Sequence, residues 1–595
     1  MAPSSLKGVP SMGIFTTRDI EEGEAILAAP DGPTITLLTE SFRAHTPKFP
    51  QDNWIHMWGN YAWGRRRGVP DHVSYEAKSM MDFQITTGAL PNHHCLLHAI
   101  AFRFPDPAYD DSLVDHRASP GTGAFSYNRG RDFYVKRKVQ AGEELFLNYG
   151  HCRHDNHPAW AEGLPMPVDY RAAVDFMIEM HRNTSDYRDD AESYKLEPPP
   201  DLDPLVVKVL PSTLQQLRDI MAGNHTVSEM MRQLSRRSGI NQRTPQWLRE
   251  NGKCLEHMVP GLSQLPHAGH GGIAQHSIAK GDVVVPAPMV HVMDRDVMAL
   301  YDENGLKVGD QLLLNYCFGH RESSLLLCPN TNAILINHCS KRSKQDCIPN
   351  AEVRWSTGGY ATSDAWRGMS LVELSRQPYR GLEMDIVAVR DIAPGEEVFM
   401  DYGPAWENAW KNHVATWEPF EPMFSAKEAN DQDYPPDFLI SGDLRKTTYH
   451  PHLFAGCQYW TTENDEHTVW DKKDPDWRDR TDRELLEKYA DDGSDYVGDY
   501  SHHHDLSYWP CVLFRPEENN GLSSAYTVRI LQNPFTKKQT WASNQLPRFL
   551  TNYPHKSIHF FVRKEETDQS LPGVFRHYIG MPDDVFPQHW KNLNL

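Results

Sequence analysis

None of the nine cysteines in this 595-residue sequence is paired as CxC or CxxC, so no zinc cluster, and no metal site of any kind, is expected. The thiols (Cys95, Cys152, Cys254, Cys317, Cys328, Cys339, Cys347, Cys457 and Cys511) are also too sparse to predict a disulfide scaffold. No apolar run approaches the roughly 18–20 residues needed to cross a bilayer, which excludes a membrane-spanning helix. Cations are in deficit: 60 Lys and Arg face 80 Asp and Glu, a net charge of −20. Direct binding to a nucleic-acid backbone, which needs clustered Lys and Arg, is therefore not expected. An acidic surface attracts basic polypeptides instead, although acidity alone also serves solubility. No leader precedes the first recognisable strand. The compartment is the cytoplasm or nucleus for the chain as written, or the secretory pathway if a leader has been removed. Nothing constrains the oligomeric state.

What is present is an ordinary globular composition, 39% hydrophobic and 24% charged, in a chain long enough for several domains. Its most informative feature is internal repetition. Gly13-Ile14-Phe15-Thr16-Thr17-Arg18-Asp19-Ile20-Glu21-Glu22-Gly23-Glu24 reads as strand, charged turn, strand, and 271–282 repeats it: Gly13 matches Gly271, Ile20 matches Ile278, Gly23 matches Gly281. Asn92-His93 and Asn337-His338 follow. Each half then closes on a Gly-Glu-Glu segment, Gly142 to Gly150 and Gly395 to Gly403. Three elements recur in one order with only loop lengths changed.

Between the halves, Val168–Arg182 and Ser212–Ser238 carry apolar residues at helical spacing, separated by an acidic stretch with Pro198-Pro199-Pro200. Trp406, Trp410 and Trp417 fall on a predicted helix, where packing is the preferred reading over binding. Residues 462–500 read as a solvated acidic loop or helix. Tyr508–Phe514 and Ala525–Ile530 alternate as strands, with Trp541 after them, in what could be a small Tudor- or SH3-like barrel. Its aromatics are read as core in preference to a methyl-lysine cage. His502-His503-His504 is read as a surface loop, since three adjacent histidines do not readily face one ion.

The order GxG, Asn-His, Gly-Glu-Glu-x-x-x-x-Tyr-Gly resembles the SET domain of protein lysine methyltransferases, and the tandem arrangement is similar to multi-SET proteins of algae and related protists. In the second half Gly269-His270-Gly271 supplies the GxG. Asn337-His338 and Cys347-Ile348-Pro349-Asn350 match Asn-His-Ser-Cys-x-Pro-Asn split by an insertion, and the segment ending at Tyr402 matches the closing motif. In the first half only Gly13 of the GxG remains. Asn92-His93-His94-Cys95 follows, Leu97-His98 stands where Pro-Asn is expected, and the motif ending at Tyr149 is complete. The resemblance implies a multidomain α+β protein: a SET-like fold over 6–153, a helical linker over 154–256, a second SET fold over 257–420 and a C-terminal domain over 421–595, β-rich at its end. The SET folds are small sheets with a pseudo-knotted closing segment.

It further implies an S-adenosylmethionine-dependent lysine N-methyltransferase. Gly269, Gly271, Asn337 and His338, and in the first half Gly13, Asn92 and His93, would hold the cofactor. Tyr402 and Tyr149 would stand at the transferred methyl group. Methyl transfer needs in-line alignment and a desolvated, neutral lysine more than a potent nucleophile, so no general base is assigned and the Glu pairs are read as turn residues. The second half keeps more of the pattern and is the expected active site. The expected partner is a lysine-bearing, basic polypeptide; a histone would fit a nucleus, and a lysine-rich secreted protein the secretory pathway. The lack of a cysteine-rich segment after the closing motif favours a non-histone target. The alternative is a non-catalytic SET fold that binds peptides or serves as scaffold. Cys339 and Cys347 are preferred as core thiols, with a disulfide closing the insertion as the other reading.

Overall fold

The computed structural model describes residues 1–6, 12–27, 34–38, 80–84, 90–103, 119–125, 131–149, 165, 167–184, 195–223, 225–301, 306–342, 347–358, 363–377, 380–419, 430, 440–441, 453–458, 474–492, 508–514, 525–530, 547–562 and 573–593. The recurring motifs become recurring sheets. In the first half Ala25–Leu27, Asp132–Val135, Ile100–Arg103, Phe146–Leu147 and Asn92–His93 lie side by side in that order. In the second half Val283–Val292, Leu382–Ala388, Ala351–Trp355, Glu397–Met400 and Asn337–His338 are joined in the same order within a ten-stranded sheet. Orientations agree too: two antiparallel pairings, then two parallel ones. Asn92 faces Phe146 as Asn337 faces Phe399. Parallel neighbours cannot be linked by a tight hairpin, so the chain must leave the sheet between Asn-His and the closing strand. Those excursions are the variable loops between the fixed motifs.

Val283–Val292 is apolar along most of its length and buried from Val284 onward, as a strand covered on both faces must be. At one edge of the large sheet Met258–Leu262 forms a hairpin with His270–Ala274. At the other, Ile579–Gly580 pairs parallel with Phe318–Gly319. The last segment, which the sequence reading groups with the C-terminal unit, is therefore seated in the sheet of the second half, with Met581, Phe586 and Trp590 in its core. The two halves share packing as well. The hairpin Thr34–Leu38/Met80–Gln84 of the first half buries Ile35, Leu37 and Phe83 among Val290, Val292, Val297 and Leu312.

Helices occupy the middle region. Pro167–Asn183 buries Tyr170, Ala173, Val174 and Met177, one face at 3.6-residue spacing. The expected helix over 212–238 is two, Leu214–Met221 and Val227–Arg237. The second starts afresh at a capping box in which Thr226 and Glu229 satisfy each other's backbone N–H. Further on, Tyr508–Phe514 and Ala525–Ile530 pair antiparallel in a seven-stranded sheet whose Tyr526, Phe549, Tyr553 and Phe560 are buried. Trp541 and His502 to His504 lie outside the described residues. Among the described residues no helix is long and apolar enough to cross a membrane.

The cysteine reading needs correction. Cys317–Cys328, Cys339–Cys347 and Cys457–Cys511 are disulfides, and Cys95 is disulfide-bonded too. Cys254 is a free thiol. Spacing in sequence misled because Cys457–Cys511 joins adjacent strands of a sheet, and Cys317–Cys328 joins a strand to the residue just before its neighbour, proximities created only by the fold.

Candidate active site

Glu397, in the closing strand, is fully buried and accepts hydrogen bonds from Ser263 Oγ (2.7 Å), Gln264 N (2.8 Å) and Asn337 Nδ2 (3.0 Å). Asn337 donates its other amide hydrogen to His270 O at 2.8 Å. A Cβ on Gly271 would lie 2.1 Å from Glu397 Oε1, so glycine is required there to admit this carboxylate. The first half builds the same cluster. Glu144 accepts from Ser4 Oγ (2.6 Å), Ser5 N (2.7 Å) and Asn92 Nδ2 (3.2 Å), Asn92 also donates to Met12 O, and a Cβ on Gly13 would lie 2.1 Å from Glu144 Oε1. Burial pushes the Glu144 carboxyl up, against the hydrogen bonds from Ser4, Ser5 and Asn92. The paired serines escaped the sequence reading, although Ser4-Ser5-Leu6 and Ser263-Gln264-Leu265 precede their glycines in both halves.

Consequently each Asn amide nitrogen is spent on protein groups, and its Oδ1 is the atom left to accept from a ligand. The carboxamide is pinned by Glu397 and presents an acceptor, which suits an ammonium group. The second glutamate of each Gly-Glu-Glu is therefore more than a turn residue.

His338 accepts from Tyr402 N at Nδ1 (3.0 Å), as His93 does from Tyr149 N (3.0 Å), with ring separations of 5.4 and 5.3 Å. The neutral tautomer thus carries its proton on Nε2. Burial lowers the His338 pKa to about 4, against the opposing pull of Asp401 and Glu407, so the ring is neutral near pH 7 and a poor base. Tyr402 is buried, its hydroxyl donates to Ile336 O, and burial, with Tyr316 adding to it, raises its pKa. Tyr149 OH donates to Pro91 O in the same way.

The two sites differ in what surrounds them. At the second, Trp406 packs on His338 (4.7 Å), Tyr402 (5.1 Å) and Phe575 (5.3 Å), so the tryptophans of Pro404–Thr416 do pack, but around the site residues. Glu407 is buried and accepts from Ser340 Oγ (2.7 Å), Arg342 Nε (3.3 Å) and Lys411 Nζ (2.6 Å), while Arg342 reaches Asp401 at 2.7 Å. The Cys339–Cys347 bridge closes the loop that carries Ser340 and Arg342. A strap from the first half, 119–125, lies against this site. Ser119 Oγ meets His267 Nδ1 at 2.9 Å, His413 Nε2 bonds Pro120 O at 2.9 Å, and the Phe125 ring fills the space a Cβ on Gly269 would enter. Gly269 has φ +66°, accessible to glycine without strain.

The SET domain family matches residues 11–150 and 269–403, the two stretches that carry these clusters. Two SET domains thus stand in tandem in this chain. No curated protein matches it. Among solved structures, a Plasmodium falciparum protein described as a candidate histone methyltransferase is similar at 19% identity over 26% of this chain and 99% of its own, with a TM-score of 0.17. A chain of an active polycomb repressive complex 2 is 19% identical over 26% of this chain and 16% of its own, TM-score 0.18. CpSET8 from Cryptosporidium is 14% identical over 40% and 97%, TM-score 0.15.

The register of this tandem SET protein also corrects one alignment. Ala351 pairs with Met400 and Ile100 with Leu147, while Asn350 N donates to Phe399 O (3.1 Å) and Ala99 N to Phe146 O (3.0 Å). Ala99, not His98, stands where the second half has Asn350.

Proposed function

We propose that this protein is an S-adenosylmethionine-dependent lysine N-methyltransferase that works through its second SET domain on a basic polypeptide. The observation that carries this reading is the pinned Asn337–Glu397 pair beside the His338–Tyr402 pair, polar side chains fixed in one arrangement before any ligand arrives. The cofactor would supply a methyl group on a sulfonium. Asn337 Oδ1 suits its ammonium, and the strand at Gly271 and His338 would line it. Tyr402, held neutral by burial and fixed to Ile336 O, would turn its oxygen lone pairs toward positive charge without being able to ionise. With the His338 ring neutral and its Nδ1 engaged, we assign no general base among the described residues. Substrate lysine must lose it to solvent before entering an apolar site, where desolvation keeps the amine neutral.

The disulfides support action in an oxidising compartment such as the secretory pathway, where such bonds persist, and this favours a lysine-rich secreted protein over a nuclear one. Incubation with methyl-labelled cofactor and a basic peptide library, followed by mass mapping of the product, tests the reading. Methyl groups on lysine ε-nitrogens support it; label on histidine, or none, overturns it. Heatless calorimetry with the cofactor would favour the peptide-binding alternative.

A further inference from the structure

The first SET copy lacks the asparagine that fixes the closing turn of the second, because Ala99 occupies its place. In the second copy Asn350 is fully buried, and its Nδ2 donates to Glu397 O at 2.9 Å and to Glu396 Oε1 at 3.3 Å. Arg390 pairs with the same Glu396. In the first copy the corresponding acceptors are Glu144 O and Glu143 Oε1, and Arg137 pairs with Glu143. Both acceptors are met by one carboxamide from elsewhere in the chain: Asn241 Nδ2 lies 3.2 Å from Glu143 Oε1 and 3.5 Å from Glu144 O. Asn241 is 2% exposed and sits just beyond the helix Val227–Arg237.

The main chain around it is fitted to the turn. Glu144 N donates to Asn241 O (2.7 Å), Arg243 N donates to Gly142 O (2.8 Å), and Gln242 Nε2 reaches Gln140 Oε1 (3.0 Å). Gly142 and Gly395 are equivalent glycines, at φ +91° and +82°, yet a Cβ on Gly142 would lie 2.0 Å from Arg243 O whereas one on Gly395 meets nothing. The helical region thus covers the first closing turn, and the second is left open.

We infer that Asn241 is a positioning residue of the first SET copy: the helical region supplies the missing asparagine and completes a second cofactor site around Asn92, Glu144 and Tyr149. The inference rests on the proposed cofactor reading. Glu144 is the carboxylate that pins Asn92, so fixing its main chain fixes the direction of Asn92 Oδ1. A carboxamide suits this place because it donates to a carboxylate and a carbonyl together, which neither Ala nor Asp can do.

The test is calorimetric titration of the full chain with S-adenosylhomocysteine. The unaltered protein is expected to bind two equivalents. Asn241→Ala should remove one, weakening that site at least tenfold, and Asn337→Ala should remove the other. Ala99→Asn combined with Asn241→Ala returns a carboxamide from the position used by the second copy and should restore two equivalents. Asn241→Asp should not, since it sets a second carboxylate against Glu143. One equivalent in the unaltered protein, abolished by Asn337→Ala, overturns this inference and leaves the second-copy reading standing. So does an Asn241→Ala variant that still binds two, or a loss that Ala99→Asn fails to repair. No binding anywhere overturns both.

Discussion

His338 and His291 are buried imidazoles whose pKa values burial lowers to about 4. Each is neutral when folded but takes up a proton near pH 6.5 when unfolded, so between about 4 and 6.5 the unfolded state binds more protons. Stability contributed by these groups is present above pH 6.5 and lost as the pH falls toward 4, by up to about 3 kcal/mol each. Urea midpoints measured from pH 7 to 4.5 should fall, and His291→Phe should flatten the slope; an unchanged slope would contradict the assignment. Lys253 makes a second residue-scale case. Its Nζ bonds Glu383 Oε1 (3.0 Å) and both oxygens of Asp385 (2.8 and 2.9 Å), and Glu383 is fully buried. Lys253→Met strands two carboxylates and should cost about 3–5 kcal/mol in equilibrium unfolding. The sequence could not show this trio, because Lys253 lies 130 residues from Glu383. Asn337, His338 and Tyr402 are legible in short motifs, but that Glu397 consumes the Asn337 amide is not, because it requires knowing that Gly271 and Glu397 face each other.

Elements repeat where sequence repeats, and differ where another part of the chain intrudes. Two of the five strands in each half lie on recurring motifs, Asn92–His93 and Phe146–Leu147 in the first and Asn337–His338 and Glu397–Met400 in the second, while the other three lie outside them. The strap 119–125 and the cover 239–243 were not legible in the repeat, having no counterpart in the other half to compare with. The cover makes a paired prediction. Gly142→Ala should destabilise the protein strongly, forcing Arg243 away at a φ of +91°, while Gly395→Ala at an open site should cost only about 1 kcal/mol. Thermal melts of the two variants compare them directly, and equal shifts would show that the cover does not bind the turn. The bridges make another. Loop closure assigns about 2–3 kcal/mol to Cys339–Cys347 and about 4 to Cys457–Cys511, which closes the longer loop. Removing Cys339–Cys347 with paired serines should also raise the KM for the cofactor, by loosening the loop of Ser340 and Arg342 against Glu407.

At the scale of the whole molecule, the two copies differ in surroundings more than in wiring. The second copy gained a strand from the C-terminal segment, an aromatic packing around His338 and a strap from its twin. The first gained Asn241. A chain truncated after 420 should lose Ile579–Gly580 and the buried Trp590 and fail to fold cooperatively, although every SET motif is retained. At this scale the second copy is the one proposed to transfer methyl groups. The most direct measurement is the rate of label transfer from S-adenosylmethionine to a lysine peptide by Tyr402→Phe and Tyr149→Phe. Tyr402→Phe is expected to lower kcat roughly 10- to 100-fold at nearly unchanged stability, and Tyr149→Phe to retain most of the activity. Full activity in Tyr402→Phe, with loss confined to Tyr149→Phe, would contradict the proposal.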